Sequence, residues 1–279
     1  MIDTHQHLIY PERFDYPWLD QAPALKNSPS RLQDYREAAT GTQVSGTVFM
    51  EVDVASAHAQ DEARFFCGLS EDPASRIMGV VAAARPEDEG FEGHLDQIAH
   101  PALKGVRRVL HTQRDELSQS AVFRTNVAGL AKRGLSFDMC FLANQLPLAI
   151  ELADACPDTG LMLDHCGVSG VAADGMEDWK RCVAELSRRP KVFCKLSGVV
   201  SCSVEGMAGD GGFSPLFDHV LGCFGVERIV WGGDWPVCNL TSSLGSWIQI
   251  TQGLLSALTE DERRQILETN ARHFYQLNP

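Results

Sequence analysis

The 279-residue chain is predicted to be an α/β protein: a single (β/α)8 barrel of the TIM type over residues 1–279, with some distortion allowed. Three observations predict it. Eight short, β-rich apolar runs alternate with longer amphipathic stretches of helical period. The runs are apolar nearly throughout, as expected for strands of a parallel sheet covered by helices. No G-x-G-x-x-G follows the first run, which disfavours an open dinucleotide-binding sheet, and eight units fit this length as a closed barrel.

The elements follow in order. "MIDTHQHLI" is the first strand, and a Pro-rich loop, "IYPERFDYPWLDQAPALKNSPS", separates it from the helical "RLQDYREAATGTQ". "GTVFMEV" precedes the helix "AHAQDEARFFCGLSE", and "RIMGVVAAA" precedes "EGFEGHLDQIAH". "KGVRRVL" leads to "SAVFRTNVAGLAKRG", "LSFDMCF" to "NQLPLAIELADAC", and "GLMLDHC" to "MEDWKRCVAELSRR". "KVFCKLSG" runs through the Gly-rich "VEGMAGDGGFS" to "SPLFDHVLGCFG". "RIVWGGDW" opens a tail that reads as helix nearly throughout, with a capping box of Thr259 and Glu262 in "LTEDE". The Pro-rich and Gly-rich loops both follow strands, so they belong at the C-terminal mouth as pocket wall or lid.

Composition narrows the function. A net charge of −13 with no basic stripe argues against nucleic-acid binding. No apolar run approaches the ~20 residues that cross a bilayer, so no membrane role is expected. The N-terminus lacks a signal peptide's basic and apolar regions, which predicts a cytoplasmic protein. Nine cysteines lie scattered without a C-x-x-C pair, mostly inside apolar runs, and read as small buried side chains.

A barrel places its chemistry at the C-terminal strand ends, because its interior is packed. Polar residues collect there. His5 and His7 share one face of the first strand and can hold one metal ion or one polar ligand. Glu51 ends the second strand, Arg107 and Arg108 lie on the fourth with His111 beyond, Asp164 and His165 end the sixth, Lys195 and Ser197 lie on the seventh, and Asp234 closes the eighth. Each has a plainer reading: a helix-leading acid for Glu51, an outward ion pair for Arg108, a loop position for His111, a turn cap for Asp164, a structural ion pair for Lys195. Asp234 stands out as an acid flanked by Trp231, Trp235 and Pro236, costly to bury without a partner or a task.

"DTHQH", "YPWL", "GVRRVL", "NQLPLAIELADACPDTGLMLDHCG", "VFCKLSG", "GGDWPVC" and "NARHFYQL", in this order, resemble the amidohydrolase-2 branch of the amidohydrolase superfamily. Within it they are most similar to sugar-acid lactonases of the L-fucono- and L-rhamnono-lactonase kind. The resemblance implies catalytic roles for Asp234 and His165, with Asp234 activating water. It implies substrate contacts from Arg107, and Lys195, His111 and Trp235 are further candidates to bind the substrate. The expected cofactor is one divalent ion, zinc, on His5, His7 and Asp234 with Glu51 near. A metal-free pocket of hydrogen-bonding histidines is the alternative. The chain departs from the family in "CGVSG" after His165 and in Gly233 before Asp234. The fifth run offers no histidine and Lys104 lies at the start of the fourth, so two metals are not expected.

The expected reaction is hydrolysis of a small lactone, an aldono-lactone, with Asp234 ionised because a metal or a nearby imidazolium outweighs its burial. A metal-dependent decarboxylase of a small unsaturated or aromatic acid is the second reading. A non-catalytic small-molecule-binding barrel is the third. No G-x-S-x-G is present to support a covalent hydrolase.

Overall fold

In the computed structural model, which describes residues 1–28, 30–171, 173–202 and 212–278, eight parallel strands stand side by side in chain order. They are β1 (Ile2–Gln6), β2 (Gly46–Met50), β3 (Ile77–Ala83), β4 (Leu103–Val109), β5 (Ser136–Cys140), β6 (Leu161–Leu163), β7 (Val192–Leu196) and β8 (Ile229–Trp231). A principal helix follows each: α1 (Leu32–Ala38), α2 (Ala59–Ser70), α3 (Phe91–Gln97), α4 (Ala121–Gly129), α5 (Leu146–Ala155), α6 (Met176–Leu186), α7 (Ser214–Phe224) and α8 (Leu244–Leu254). This is the predicted (β/α)8 barrel. No regular ladder joins β8 to β1; the seam closes just beyond β8, where Asp234 N donates to His5 O (2.9 Å), His7 N to Trp235 O (2.8 Å) and Gly233 N to Asp3 Oδ1 (2.7 Å).

Alternation along each strand sorts its residues between two cores. Val48, Met50, Val81, Met162 and Val230 turn inward and pack with Ile2, while Phe49, Val80, Leu161, Leu163 and Ile229 turn outward to the helices. Phe49 stacks on Phe66 of α2 at 3.5 Å between ring centroids. Burial of a side chain of this size contributes roughly 1.5–3 kcal/mol. Strict alternation is broken by register slips between β2 and β3, between β3 and β4, and in β1. Its register against β2 slips between Asp3 and Gln6, and this bulge lets Ile2, His5 and His7 all serve the barrel interior.

The tail differs from one long helix. Leu255–Leu258 separate α8 from a helical segment that starts at Glu260, passes through a π-helical turn at Gln265–Thr269 and ends at Phe274. Its N-terminus carries the expected capping box: Glu262 N donates to Thr259 Oγ1 and Thr259 N to the Glu262 carboxylate. The segment delivers Tyr275 into the bottom of the barrel, where its hydroxyl donates to Asp138 Oδ2 (2.8 Å). The Pro-rich loop contains two short helical turns, Pro17–Gln21 and Pro23–Lys26. Most of the Gly-rich "VEGMAGDGGFS" lies outside the described residues. Among those that are described, no helix is long and apolar enough to cross a membrane.

Candidate active site

Four side chains meet at the C-terminal mouth. Asp234 Oδ1 lies 3.7 Å from His5 Nε2 and 3.6 Å from His7 Nε2. The His165 ring stands 4.6 Å from the His5 ring, centroid to centroid. Local backbone makes this possible. His165, Cys166 and Asp234 all adopt left-handed conformations, with φ of 54°, 53° and 54°. Such conformations are costly outside glycine and cluster where a side chain must be aimed. Gly198 supplies the room: a Cβ there would lie 2.3 Å from His165 Nδ1 and 3.0 Å from Asp234 Oδ2. Gly233, a departure from the family pattern, is required by Asp3, whose Oδ2 would lie 2.4 Å from a Cβ at 233.

Hydrogen bonds orient the imidazoles. His7 Nδ1 donates to the Met50 carbonyl at 3.1 Å, because a carbonyl can only accept, so Nε2 keeps its lone pair facing Asp234. Ser197 Oγ holds His165 Nδ1 at 3.0 Å. His5 Nδ1 faces Asp164 Oδ1 at 3.6 Å and Lys195 Nζ at 3.3 Å. Burial lowers the pKa of all three: His5 falls well below the ordinary histidine range, His7 to about 4, and His165 is lowered too. The rings are therefore neutral at pH 7, as ligands or hydrogen-bonding groups must be.

Contrary to the expected lowering, burial wins at Asp234 among the protein's own groups, pushing its carboxyl up to about 6 against the opposing pull of His165 and Arg107. That value still leaves it ionised at neutral pH and places it near the optimum for a general base.

His5, His7 and Asp234 offer ligand atoms that all lie within 4.8 Å of one another, and so do His5, Asp164 and His165. The first set offers a single divalent ion two neutral imidazole nitrogens and one carboxylate oxygen, all buried, with His7 oriented by a backbone acceptor and His5 facing a carboxylate; Arg107 Nη1 lies 3.4 Å from His5 Nε2, a contact that an ion on that nitrogen would replace. The second set is compromised by Asp164, which is already paired with Lys195 Nζ (2.9 Å) and lies 3.6 Å from Arg107 Nη1.

Several candidates stand elsewhere than the sequence placed them. Glu51 is not in either ligand set: Oε1 accepts from Arg107 Nε at 2.6 Å and Oε2 from Asp53 N at 2.7 Å. Arg107 reaches the cavity wall, but its guanidinium is engaged inside the barrel, with Nη2 donating to Glu51 O at 2.8 Å. Arg108 faces outward and pairs with Glu87 at 2.9 Å, since neighbours on a strand point oppositely. Lys195 is fully buried below the site, with Nζ 2.6 Å from Asp138 Oδ2, and is not among the residues lining the mouth cavity. Trp235 is buried edge-on against Tyr35, at 5.4 Å between centroids, and is not among the residues lining the cavity. His111 does line it, with Nδ1 3.2 Å from Cys140 Sγ.

Sequence reading missed Asp138, Tyr275, Gly198 and Trp18. Asp138 had a signal, an acid inside the apolar "SFDMCF", of the kind that marked Asp234. Trp18 and Tyr275 lie in "YPWL" and "NARHFYQL", which carried the family resemblance without a role for either residue, and Gly198 carries no local signal.

The sequence profile of the amidohydrolase family matches residues 2–277. The chain is 33% identical to an L-rhamnono-gamma-lactonase from Scheffersomyces stipitis, covering 99% of this chain and 98% of that one. It is 26% identical to an L-fucono-1,5-lactonase from Burkholderia ambifaria, covering 99% and 96%. An amidohydrolase from Burkholderia multivorans, crystallised with bound zinc, superposes with a TM-score of 0.87 at 25% identity over 99% of both chains.

Proposed function

The chain belongs to the amidohydrolase family, and from this premise we propose that it hydrolyses a small sugar-acid lactone, an aldono-lactone, to the hydroxy acid, with Asp234 activating the water. The observation that carries the reading is the convergence of Asp234 with His5, His7 and His165 at the mouth, around a cavity of about 340 Å³. The lactonase relatives support it.

Asp234 takes the proton of the attacking water through its carboxylate. His165 is held at Nδ1 by Ser197, which leaves Nε2 for the oxygen on which charge develops. Nε2 of His5 and Nε2 of His7 lie beside Asp234 Oδ1. The tetrahedral carbon then expels the ring oxygen, and protonated Asp234 returns its proton to that leaving alkoxide. One carboxyl group serves both directions, and no side-chain nucleophile is needed. Nε2 of His5, Nε2 of His7 and Oδ1 of Asp234 would hold the divalent ion, proposed to be zinc, which when bound supplies Lewis acidity toward the lactone carbonyl. Arg107 and Lys195 act from below: Arg107 clamps Glu51, and Lys195 neutralises Asp138 and Asp164 beside His5.

A pH-indicator assay over a panel of aldono-lactones, run beside metal analysis of the purified protein, tests the reading. Acid release from at least one lactone at a rate far above background is expected. Release of carbon dioxide from aromatic or unsaturated acids, with every lactone left intact, would replace it with the decarboxylase reading.

A further inference from the structure

On the face of the barrel opposite the mouth, a groove of about 540 Å³ runs between the end of α1 and the segments that lead into β2 and β3. Tyr35, Arg36, Thr40, Thr42, Thr47 and Arg76 line it, with small residues between them, and none of the described lining residues is Asp or Glu. The chain as a whole carries a net charge of −13, and elsewhere its surface arginines are held by carboxylates, as in Arg31–Glu12, Arg133–Asp96 and Arg189–Asp154. Arg36 and Arg76 are both exposed. Arg36 donates to the Ala74 carbonyl, and among the described residues no hydrogen bond or ion pair reaches the Arg76 guanidinium. The acids closest to them in the chain are engaged with other groups: Asp34 Oδ2 accepts from Arg31 N (2.8 Å), Glu37 Oε1 from Gln33 Nε2 (3.0 Å) and Asp72 Oδ1 from Ala74 N (2.9 Å). The carbonyl end of α1 is covered as well, since Thr40 Oγ1 donates to Arg36 O (2.9 Å) and Thr42 Oγ1 to Ala39 O (2.7 Å). Arg76 also sits in the left-handed region, at a φ of 59°, a conformation costly outside glycine that no polar contact of its own side chain offsets.

We infer that this groove is a second ligand site, which binds the doubly charged oxyanion of a small molecule, a phosphate or a dicarboxylate, between Arg36 and Arg76. A guanidinium presents a planar fork of N–H donors that matches the oxygens of such anions, and two forks in one groove suit two negative charges. No carboxylate lines the groove to compete for them. The net negative charge of the rest of the protein repels anions, so binding is confined to this groove and saturates, unlike a general salt effect. The body of the ligand lies along Tyr35, whose hydroxyl is committed to Asp3 Oδ2 at 2.7 Å and which therefore offers its ring.

The test is calorimetric titration of the natural protein with inorganic phosphate and, separately, with succinate, at pH 8 and a fixed ionic strength. Saturable binding of one anion per chain is expected for at least one of the two, weakened ~10-fold or more in Arg76→Gly, the scale of losing a charge-assisted hydrogen bond. Glycine is at ease at this φ, so the variant should fold as well as the parent, and its melting curve without anion separates lost binding from lost structure. Arg36→Gln should weaken the same titration. Binding of phosphate alone assigns the groove to a phosphorylated ligand, and binding of succinate alone to a dicarboxylate. Saturation by neither anion, or equal affinity in the parent and a folded Arg76→Gly, would overturn the inference.

Discussion

Lys195→Met tests whether the seventh-strand lysine is part of the barrel's framework or a substrate contact. Its Nζ lies 2.6 Å from Asp138 Oδ2 and 2.9 Å from Asp164 Oδ1, and all three side chains are fully buried. Asp138 also accepts the Tyr275 hydroxyl. Methionine fills similar volume, so packing changes little and the electrostatic loss dominates. Removing one partner of a buried ion pair costs about 3–5 kcal/mol, because the remaining charge is left unpaired in a low-dielectric interior. With ~2–4 °C per kcal/mol for a domain near this size, Tm should fall by roughly 6–20 °C. The measurement is urea denaturation at pH 7, followed by fluorescence and far-UV circular dichroism, with the midpoint and slope both reported. Lys195→Met/Asp138→Asn removes one of the stranded charges and should recover part of the loss, a coupling that a double-mutant cycle reads directly. A loss below about 1 kcal/mol together with a raised KM would refute the structural assignment and restore Lys195 as a substrate contact.

Three further outcomes are expected. Asp234→Asn keeps the shape and removes the basic oxygen, so kcat should fall at least ~100-fold in a folded protein, and a near-parental rate would exclude Asp234 as the base. Gly198→Ala introduces a Cβ 2.3 Å from His165 Nδ1 at a φ of +61°, so it should displace the imidazole and lower kcat by roughly 10–100-fold, checked against a crystal structure of the variant. Glu62 is fully buried on α2, and burial with help from Glu51 raises its pKa well above the ordinary 4.5 against the opposing pull of the Val52 backbone N–H. The folded state thus holds a proton that the unfolded chain releases, and stability falls as pH rises above 4.5 toward the folded value. Glu62→Gln cannot titrate, so it should be more stable than the parent at pH 7 with the difference vanishing near pH 4; a variant equally or less stable at pH 7 would show that the carboxylate is ionised and satisfied.

Different parts of the molecule were legible to different degrees. The eight strand–helix units were readable because apolar runs and helical periods are local properties of the chain. His5, His7, His165 and Asp234 could be singled out for the same kind of reason: each stands at the C-terminal end of an apolar run, where a barrel exposes its interior. Within a strand, alternation separated Arg107 from Arg108 only once the inward face was known. The bulge in β1 was invisible, since strict alternation would have put Ile2 and His5 on opposite faces.

By itself the sequence determined the (β/α)8 order of elements, the strand ends that hold polar groups and the net charge of −13. Tertiary structure decided what those groups do. Glu51 became a clamp for Arg107 across 56 residues, Lys195 the counter-ion of Asp138 across 57, and Tyr275 the plug beneath Asp138 across 137. Lys195 meets His5 across 190 residues, a contact that exists only because the barrel closes. The physical reason is that secondary structure answers to neighbours a few residues away, whereas the charge state and availability of a buried group answer to whatever closure brings within about 4 Å of it.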